Sequence, residues 1–533
     1  MTGRAVPMNG PGNGTRPTGT GRRAPAGEGL WMLWLLGLGG ALLIGMVTAI
    51  IGSEAGYRSV YYVAVLALVG LAAMLAATRK QPLRFAFLAL IACFPLASAE
   101  VPPGRLGLTV FDVGMILLGL GLVVKKLLNP EAGKDPFFPS PSLLAAWLLL
   151  LPCVLFSRYP AHSLISFLAI FGGYAFFLLV LDELKRERGF ERLVMLMALV
   201  SIVIAAGLFI DSSLHVNLSM RGGNLNQVTY VGGVPVWRAG GFFQDPQRAG
   251  AFLGCLVAFF FMLSVRGRFR GQPLSLLVWL AIIMGAAALM TTISRSAILA
   301  CIAVCAFTFF IFNGWNLVTK LVVAVALGVL AFMAAMTPWE NWLNILPSAV
   351  IQRVLESRTE IMDRVNIWVD TWDMFANHPL FGIGPGSFQP YLMETRPTVT
   401  NFYGIGAAEG VSYVPDQPES GYLKILYEGG IVGAVAALLV AGDTLRRAAL
   451  IIARGGVDDA ARTESIAAFA GLLTFAVTFV TLFNLSDGRI AGMFFMFLAV
   501  IWRHSLVRAA ATRTVKVRSR FRNDDPFRRI GAA

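Results

Sequence analysis

The sequence predicts an all-α fold: a polytopic transmembrane helix bundle of about fourteen spans, both termini cytoplasmic, with one large external loop. Three observations carry that prediction. The 533 residues are 56% hydrophobic, with a mean hydropathy of +0.69, far too apolar for a water-soluble domain. The 14% that are charged sit in short blocks between apolar runs. Those runs recur at about the 20 residues that a spanning helix needs. Alternating ten-residue segments are absent, which argues against a transmembrane barrel.

The elements follow in order. Residues 1–30 are rich in Gly, Pro, Thr and Arg, lack an apolar stretch, and read as a disordered cytoplasmic tail. The run from Trp31 has no small-residue cleavage site and reads as a retained helix, not a signal peptide. A first group of helices, within 31–211, has expected spans at 31–52, 58–78, 84–100, 107–127, 141–157, 162–182 and 191–211. The 141–157 run is short, and a re-entrant segment is the alternative there. A core over 212–505 follows, with spans at 248–265, 273–291, 295–313, 317–337, 421–442, 463–484 and 489–505. Residues 506–533 form a basic cytoplasmic tail.

Charge orients the bundle. With the N-terminus inside, 31 of the 44 Lys and Arg fall on cytoplasmic segments, as the positive-inside rule requires. The net charge of +14 is therefore mostly a topology signal. The basic tail reads as a membrane-surface contact and not as a nucleic-acid site. Two loops then lie outside, 212–247 and 338–420; the second carries ten acids against four arginines. The five cysteines all sit in apolar runs and the four histidines have no ligand spacing, so no metal is expected. No repeat of paired, broken helices is visible, which counts against common secondary-transporter architectures.

The external arginines stand out. Arg238 and Arg248 lie in WRAGGFFQDPQRAGAFLG, at the entry to a span. Arg295 lies in TTISRSAILA, at the first turn of another. Arg364 lies in the large loop, where Ile361, Val365, Trp368, Trp372 and Phe375 keep helical spacing. Residues 358–377 thus read as an amphipathic helix on the outer membrane-water boundary or over the bundle, broken by FGIGPGSF, and the whole 338–420 loop reads as a lid with its glycines as hinges. The spans starting near Arg248, Arg295 and Gly421 run from outside to inside, so their N-termini face out. N-termini with free N–H groups, plus arginines that bind phosphate bidentately, suit a diphosphate. Each arginine alone is equally consistent with a snorkelling anchor or a loop brace. A site requires that they meet in space.

The stretch DQPESGYLKILYEGG puts charge at the start of a span. Lys424 and Glu428 are four apart on one helix face and are expected to pair, which offsets the cost of a charge two turns into the membrane. Gly429, Gly430 and Gly433 permit close packing there. Asp112, near the outer end of its span, reads as a cap.

Taken together, these stretches resemble the O-antigen ligase/polymerase superfamily of bacterial envelope glycan enzymes. The resemblance rests on RAGGFFQDPQ, TISR, HPLFGIGPGSF and ESGYLKILYEGGIVG, in the family's order and over roughly residues 230–500. It implies a plasma-membrane enzyme with its active face external. The enzyme would move a glycan from a polyprenyl diphosphate carrier to an acceptor hydroxyl, without metal or other cofactor. It also implies a flippase and a chain-length regulator of the same pathway as partners. Carried over, Arg238 and Arg295 grip the diphosphate and Arg364 matches the loop arginine; Arg248 and Tyr422 join them as substrate-binding residues. Glu419 stands where ligases of the family carry His, and Ser420 where they carry Asn, which turns the expectation from ligase to polymerase. Transfer from a diphosphate needs cations for the leaving group and a base for the acceptor. Glu419 is the candidate base or else a helix cap, Asp416 the fallback base, and Gln417 a group to orient a sugar hydroxyl. The rival readings are a ligase and a small-anion transporter.

Overall fold

A computed structural model describes residues 81–95, 109–128, 137–216, 218, 228–231, 234–243, 245–312, 357–395, 419–453, 459–482, 485 and 487–523. The expected spans at 31–52, 58–78 and 317–337 lie outside the described residues, as do Asp416 and Gln417.

The described chain is helical apart from one hairpin. The helices are α1 (Pro82–Ala92), α2 (Val110–Leu128), α3 (Pro141–Leu155), α4 (Pro160–Leu184) and α5 (Gly189–Leu214). A two-stranded antiparallel hairpin follows, β1 (Val228–Val231) and β2 (Val234–Trp237), with Val228 opposite Trp237. It lies within the expected 212–247 loop. Then come α6 (Pro246–Val265), α7 (Pro273–Thr291), α8 (Arg295–Phe312), α9 (Ser357–Asn377), α10 (Phe388–Thr395), α11 (Gly421–Ala453), α12 (Asp459–Thr478) and α13 (Gly488–Asn523). Among the described residues eight helices are long and apolar enough to cross a membrane, which makes the chain a multi-pass membrane protein by length and composition. At 11 and 15 residues, α1 and α3 are shorter than a full span.

Local chemistry sets the helix starts. Proline opens α3 and α6 at a position whose N–H has no helical partner. Ser140 accepts from the Leu143 amide at 3.3 Å and Asp245 from the Gln247 amide at 2.8 Å, both as N-caps. At α2, Asp112 accepts from the Thr109 amide at 2.9 Å while the Asp112 amide donates to the Thr109 hydroxyl at 3.2 Å. Asp112 is thus the cap that its place in the sequence suggests.

Central to the bundle is α6, buried from Ala249 to Phe260, with α7, α8 and α12 packed around it. Gly250 and Gly254 let α8 approach it closely, and Gly285 of α7 leaves room for Val257. The outer faces of α7 and α8 expose Leu276, Ile283, Leu299 and Ile302, an apolar surface suited to lipid.

One end of the bundle is held by buried carboxylates. Glu183 is gripped by Arg84 at 2.6 Å and Arg192 at 2.7 Å. Glu464 is held by Arg268 at 2.9 Å and by His504 at 3.0 Å. Asp443 accepts from Ser142 at 2.6 Å. These groups belong to the segments that charge counting puts in the cytoplasm.

Candidate functional site

The opposite end holds the starts of α6, α8, α11 and α13. The turn Thr292–Arg295, between α7 and α8, is its focus. Arg238, 3% exposed, follows β2 and donates from Nε to the Thr292 carbonyl at 3.4 Å. The next residue, Ala239, donates its amide to Thr291 at 3.1 Å. Arg248 is buried in the first turn of α6, 4% exposed. Two residues on, a Cβ at Gly250 would stand 3.0 Å from the Cβ atoms of Ser294 and Ala297. The starts of α6 and α8 therefore touch. Arg295, half-buried, is the first residue of α8. Ile293 takes a left-handed φ of 49° to make the tight turn. Arg238 and Arg295 thus share the Thr292–Arg295 turn, beside two helix N-termini whose positive dipole ends add to their charge, while Arg248 stands in the first turn of α6, two residues from the Gly250 contact.

The start of α11 packs against the end of α12. The Gly421 amide donates to the Phe479 carbonyl at 2.8 Å, and a Cβ at Gly421 would collide with the Phe479 ring. Glu419, at the join, has a left-handed φ of 50°, and its Oε2 is buried. A non-glycine residue there costs about 1–2 kcal/mol, so the surrounding structure must hold the join in place. Tyr422 is directed onto α12: its hydroxyl donates to the Ala476 carbonyl at 2.9 Å and its ring meets Phe479 edge-on at 5.1 Å. The phenol ties two helices together. Arg364 lies within α9, which covers the expected 358–377 helix and packs against α11.

The FGIGPGSF loop corrects the hinge expectation. Its three glycines have φ of 67°, 106° and 73°, and each is keyed into a notch. A Cβ at Gly382 would stand 2.4 Å from the Glu428 backbone, one at Gly384 2.0 Å from Ser157 Oγ, and one at Gly386 2.0 Å from Ser166 Oγ. They are close-approach glycines. What Gly382 approaches is a break in α11 at Gly430, where φ is 62° and ψ −162°. A broken helix leaves amides and carbonyls unpaired, which is costly at membrane depth. The loop supplies four partners, and Cys153 of α3 donates to the Gly429 carbonyl at 3.3 Å. Ile431 and Val432 donate to Pro379 and Leu380 at 2.8 and 3.1 Å, while Ile383 and Gly384 donate to Tyr427 and Glu428 at 3.2 and 2.9 Å. The expected Lys424–Glu428 pair is present at 3.7 Å, and Glu428 Oε1 also accepts from the Phe388 amide at 3.4 Å. Glu428 is therefore structural, fixing the start of α10 to α11.

Above this joint, Glu394 of α10 accepts from Arg158 and from the Tyr159 hydroxyl. The Tyr159 hydrogen bond, then that of Arg158, holds the Glu394 carboxyl below its ordinary value. Burial, then the Glu394 carboxylate, pushes the Tyr159 phenol up to about 12. His378 meets Tyr391 edge-on at 5.9 Å.

Three charged residues around residues 237–243 escaped the sequence reading. Arg489, 2% exposed, opens α13; it pairs with Asp487 at 2.6 Å and donates to the Phe242 carbonyl at 3.0 Å. Its signal was available, since an arginine at the first turn of an inward-running span is what singled out Arg295. Asp211, fully buried at the end of α5, gave no such signal.

Residues 279–438 match the family model described as O-antigen ligase, which supports the resemblance to the O-antigen ligase/polymerase superfamily. That domain fits a glycan-transferring enzyme of surface polysaccharide biosynthesis. The matched stretch begins within α7 and ends in α11 beyond Gly430, so it holds Arg295, the glycine loop and Glu419, while Arg238, Arg248 and Arg489 lie outside it. No curated protein matches the chain.

Proposed function

We propose that the protein is a glycosyltransferase that polymerises polyprenyl-diphosphate-linked oligosaccharide repeat units of a surface polysaccharide at the external face of the plasma membrane. The observation that carries the reading is the placing of Arg238 and Arg295 at the Thr292–Arg295 turn, with Arg248 in the first turn of α6, beside the N-termini of α6 and α8. Fixed cations and helix dipoles there suit the charge that grows on a departing diphosphate. In this reading the arginines, not a metal, supply the positive charge.

The chemistry is a single displacement. The acceptor hydroxyl oxygen bonds to the anomeric carbon, the bond from that carbon to the diphosphate oxygen breaks, and polyprenyl diphosphate leaves with the electron pair. Glu419 accepts the hydroxyl proton. Direct displacement inverts the anomeric centre. Substrate would reach the arginines from the bilayer, and a flippase and a chain-length regulator would act beside it.

A ligase that transfers finished polymer to a terminal acceptor is equally compatible with the matched family model. Glu419 in place of the family's His favours the polymerase. The deciding experiment is the length distribution of carrier-linked glycan in cells lacking the protein, complemented with wild type, Arg295→Ala or Glu419→Gln. Single repeat units that persist with either variant support the polymerase and both roles. Long carrier-linked polymer points to the ligase. Unchanged glycan rejects both and favours an anion transporter using the same arginines.

A further inference from the structure

Asp211 and Arg489 lie outside the matched family stretch and outside every motif singled out above. Both are buried, 0% and 2% exposed, and both address the loop that carries Arg238. From α5, Asp211 Oδ1 accepts from Trp237 Nε1 at 2.8 Å, and Oδ2 accepts from the amides of Gly240 and Gly241 at 2.8 and 2.6 Å. From α13, Arg489 Nη1 donates to the Phe242 carbonyl at 3.0 Å, and its guanidinium lies 3.8 Å over the Phe243 ring. Asp487 orients that guanidinium through contacts at 2.9 and 2.6 Å.

The residue types are demanding. All three partners of Asp211 are donors, and only a carboxylate offers them two accepting oxygens; an asparagine would turn an NH2 toward an N–H. Arg489 must serve Asp487 with two nitrogens and Phe242 with a third, in one plane, which a lysine cannot do. Two helices far apart in sequence thus grip residues 237–243 from both sides. The residue between Trp237 and Ala239 is Arg238, whose Nε reaches Thr292. Buried charge is costly, so a pair of charged residues spent on one short loop implies that the place of the loop matters.

We propose that Asp211 and Arg489 are positioning residues for Arg238, holding its guanidinium against the Thr292–Arg295 turn where the diphosphate of the carrier lipid binds. The inference rests on the diphosphate reading above. The test uses the full chain in lipid nanodiscs, with polyprenyl diphosphate as the probe. Asp211→Asn and Arg489→Lys are each expected to weaken binding by about 10-fold or more, as loss of a buried charged hydrogen bond does. Arg238→Ala should weaken it similarly, and the double variant Asp211→Asn/Arg238→Ala should lose no more than the worse single one. Amide exchange at Gly240 and Gly241 should quicken in Asp211→Asn while that of α6 and α12 stays unchanged. Should Asp211→Asn fail to fold, Trp237→Phe removes one donor only and is expected to weaken binding in the same direction by less. Losses that add in the double variant, or normal binding despite a quickened loop, overturn the inference alone. Wild-type protein that binds no polyprenyl diphosphate overturns the diphosphate reading, and this inference with it.

Discussion

Replacing Gly430 with alanine tests the joint between the glycine loop and α11. At φ 62° and ψ −162° the residue occupies a region that is essentially glycine-only. The added Cβ would stand 2.3 Å from the Leu380 oxygen, 2.4 Å from the Leu380 carbonyl carbon and 2.6 Å from the Gly382 nitrogen. All three are backbone atoms, so no side chain can rotate aside. Backbone strain costs about 1–3 kcal/mol. Making room also parts Ile431 from Pro379 and Val432 from Leu380, at about 1 kcal/mol per bond. The sum is about 3–5 kcal/mol. The neighbouring Gly429 is the control, since nothing lies within 4 Å of its Cβ position. Alanine there should be neutral or gain up to about 1 kcal/mol of helix propensity. Both variants, purified in detergent, would be unfolded side by side by heat or denaturant. A Gly430→Ala protein within about 0.5 kcal/mol of wild type would refute the argument that the break is held by these contacts.

Three other outcomes are expected. Glu428→Ala removes the carboxylate that Lys424 and the Phe388 amide contact, and unfolding should show a loss of about 3 kcal/mol, as for other broken buried pairs. Glu183→Ala leaves Arg84 and Arg192 facing each other at the opposite end, and a similar loss should appear in the same assay. Glu394 responds to pH: its carboxyl is held low by Tyr159 and Arg158, so the contact is fully present above the unfolded value and is lost as pH falls through the folded one. Amide exchange in α10 should therefore quicken only in acid, and Glu394→Gln should remove that dependence.

Most helices were legible because hydropathy and charge act locally. The expected spans at 162–182, 191–211, 273–291 and 295–313 correspond to α4, α5, α7 and α8 within a few residues, and the amphipathic 358–377 reading corresponds to α9. The hairpin was not legible, since four-residue strands carry too little pattern to announce themselves. The break in α11 was half-visible. Two adjacent glycines suggested close packing, but only the positive φ at Gly430 shows that the helix stops and restarts. The hinge reading of FGIGPGSF failed for a physical reason: glycine serves both freedom and close approach, and composition alone does not tell which.

The site divides along the same line. Which residues are cationic and which helix ends they occupy follows from one-dimensional order, so Arg238, Arg248 and Arg295 could be singled out from the sequence. What holds them is a matter of pairing across the chain. Asp211 and Arg489 each contact residues 237–243, 26 or more positions away in the first case and 247 in the second. A lone aspartate at the end of α5 looks like any cap until its three donors are seen to be Trp237, Gly240 and Gly241. If the arginines bind a diphosphate, their partners must fix them without neutralising them. Arg238 donates from Nε to the neutral Thr292 carbonyl, while Asp211 and Arg489 act on the backbone and rings around it. Arg238→Lys keeps the charge and loses the planar fork, so it should weaken diphosphate binding. Unchanged binding in that variant would mean that the anion sits elsewhere on this face.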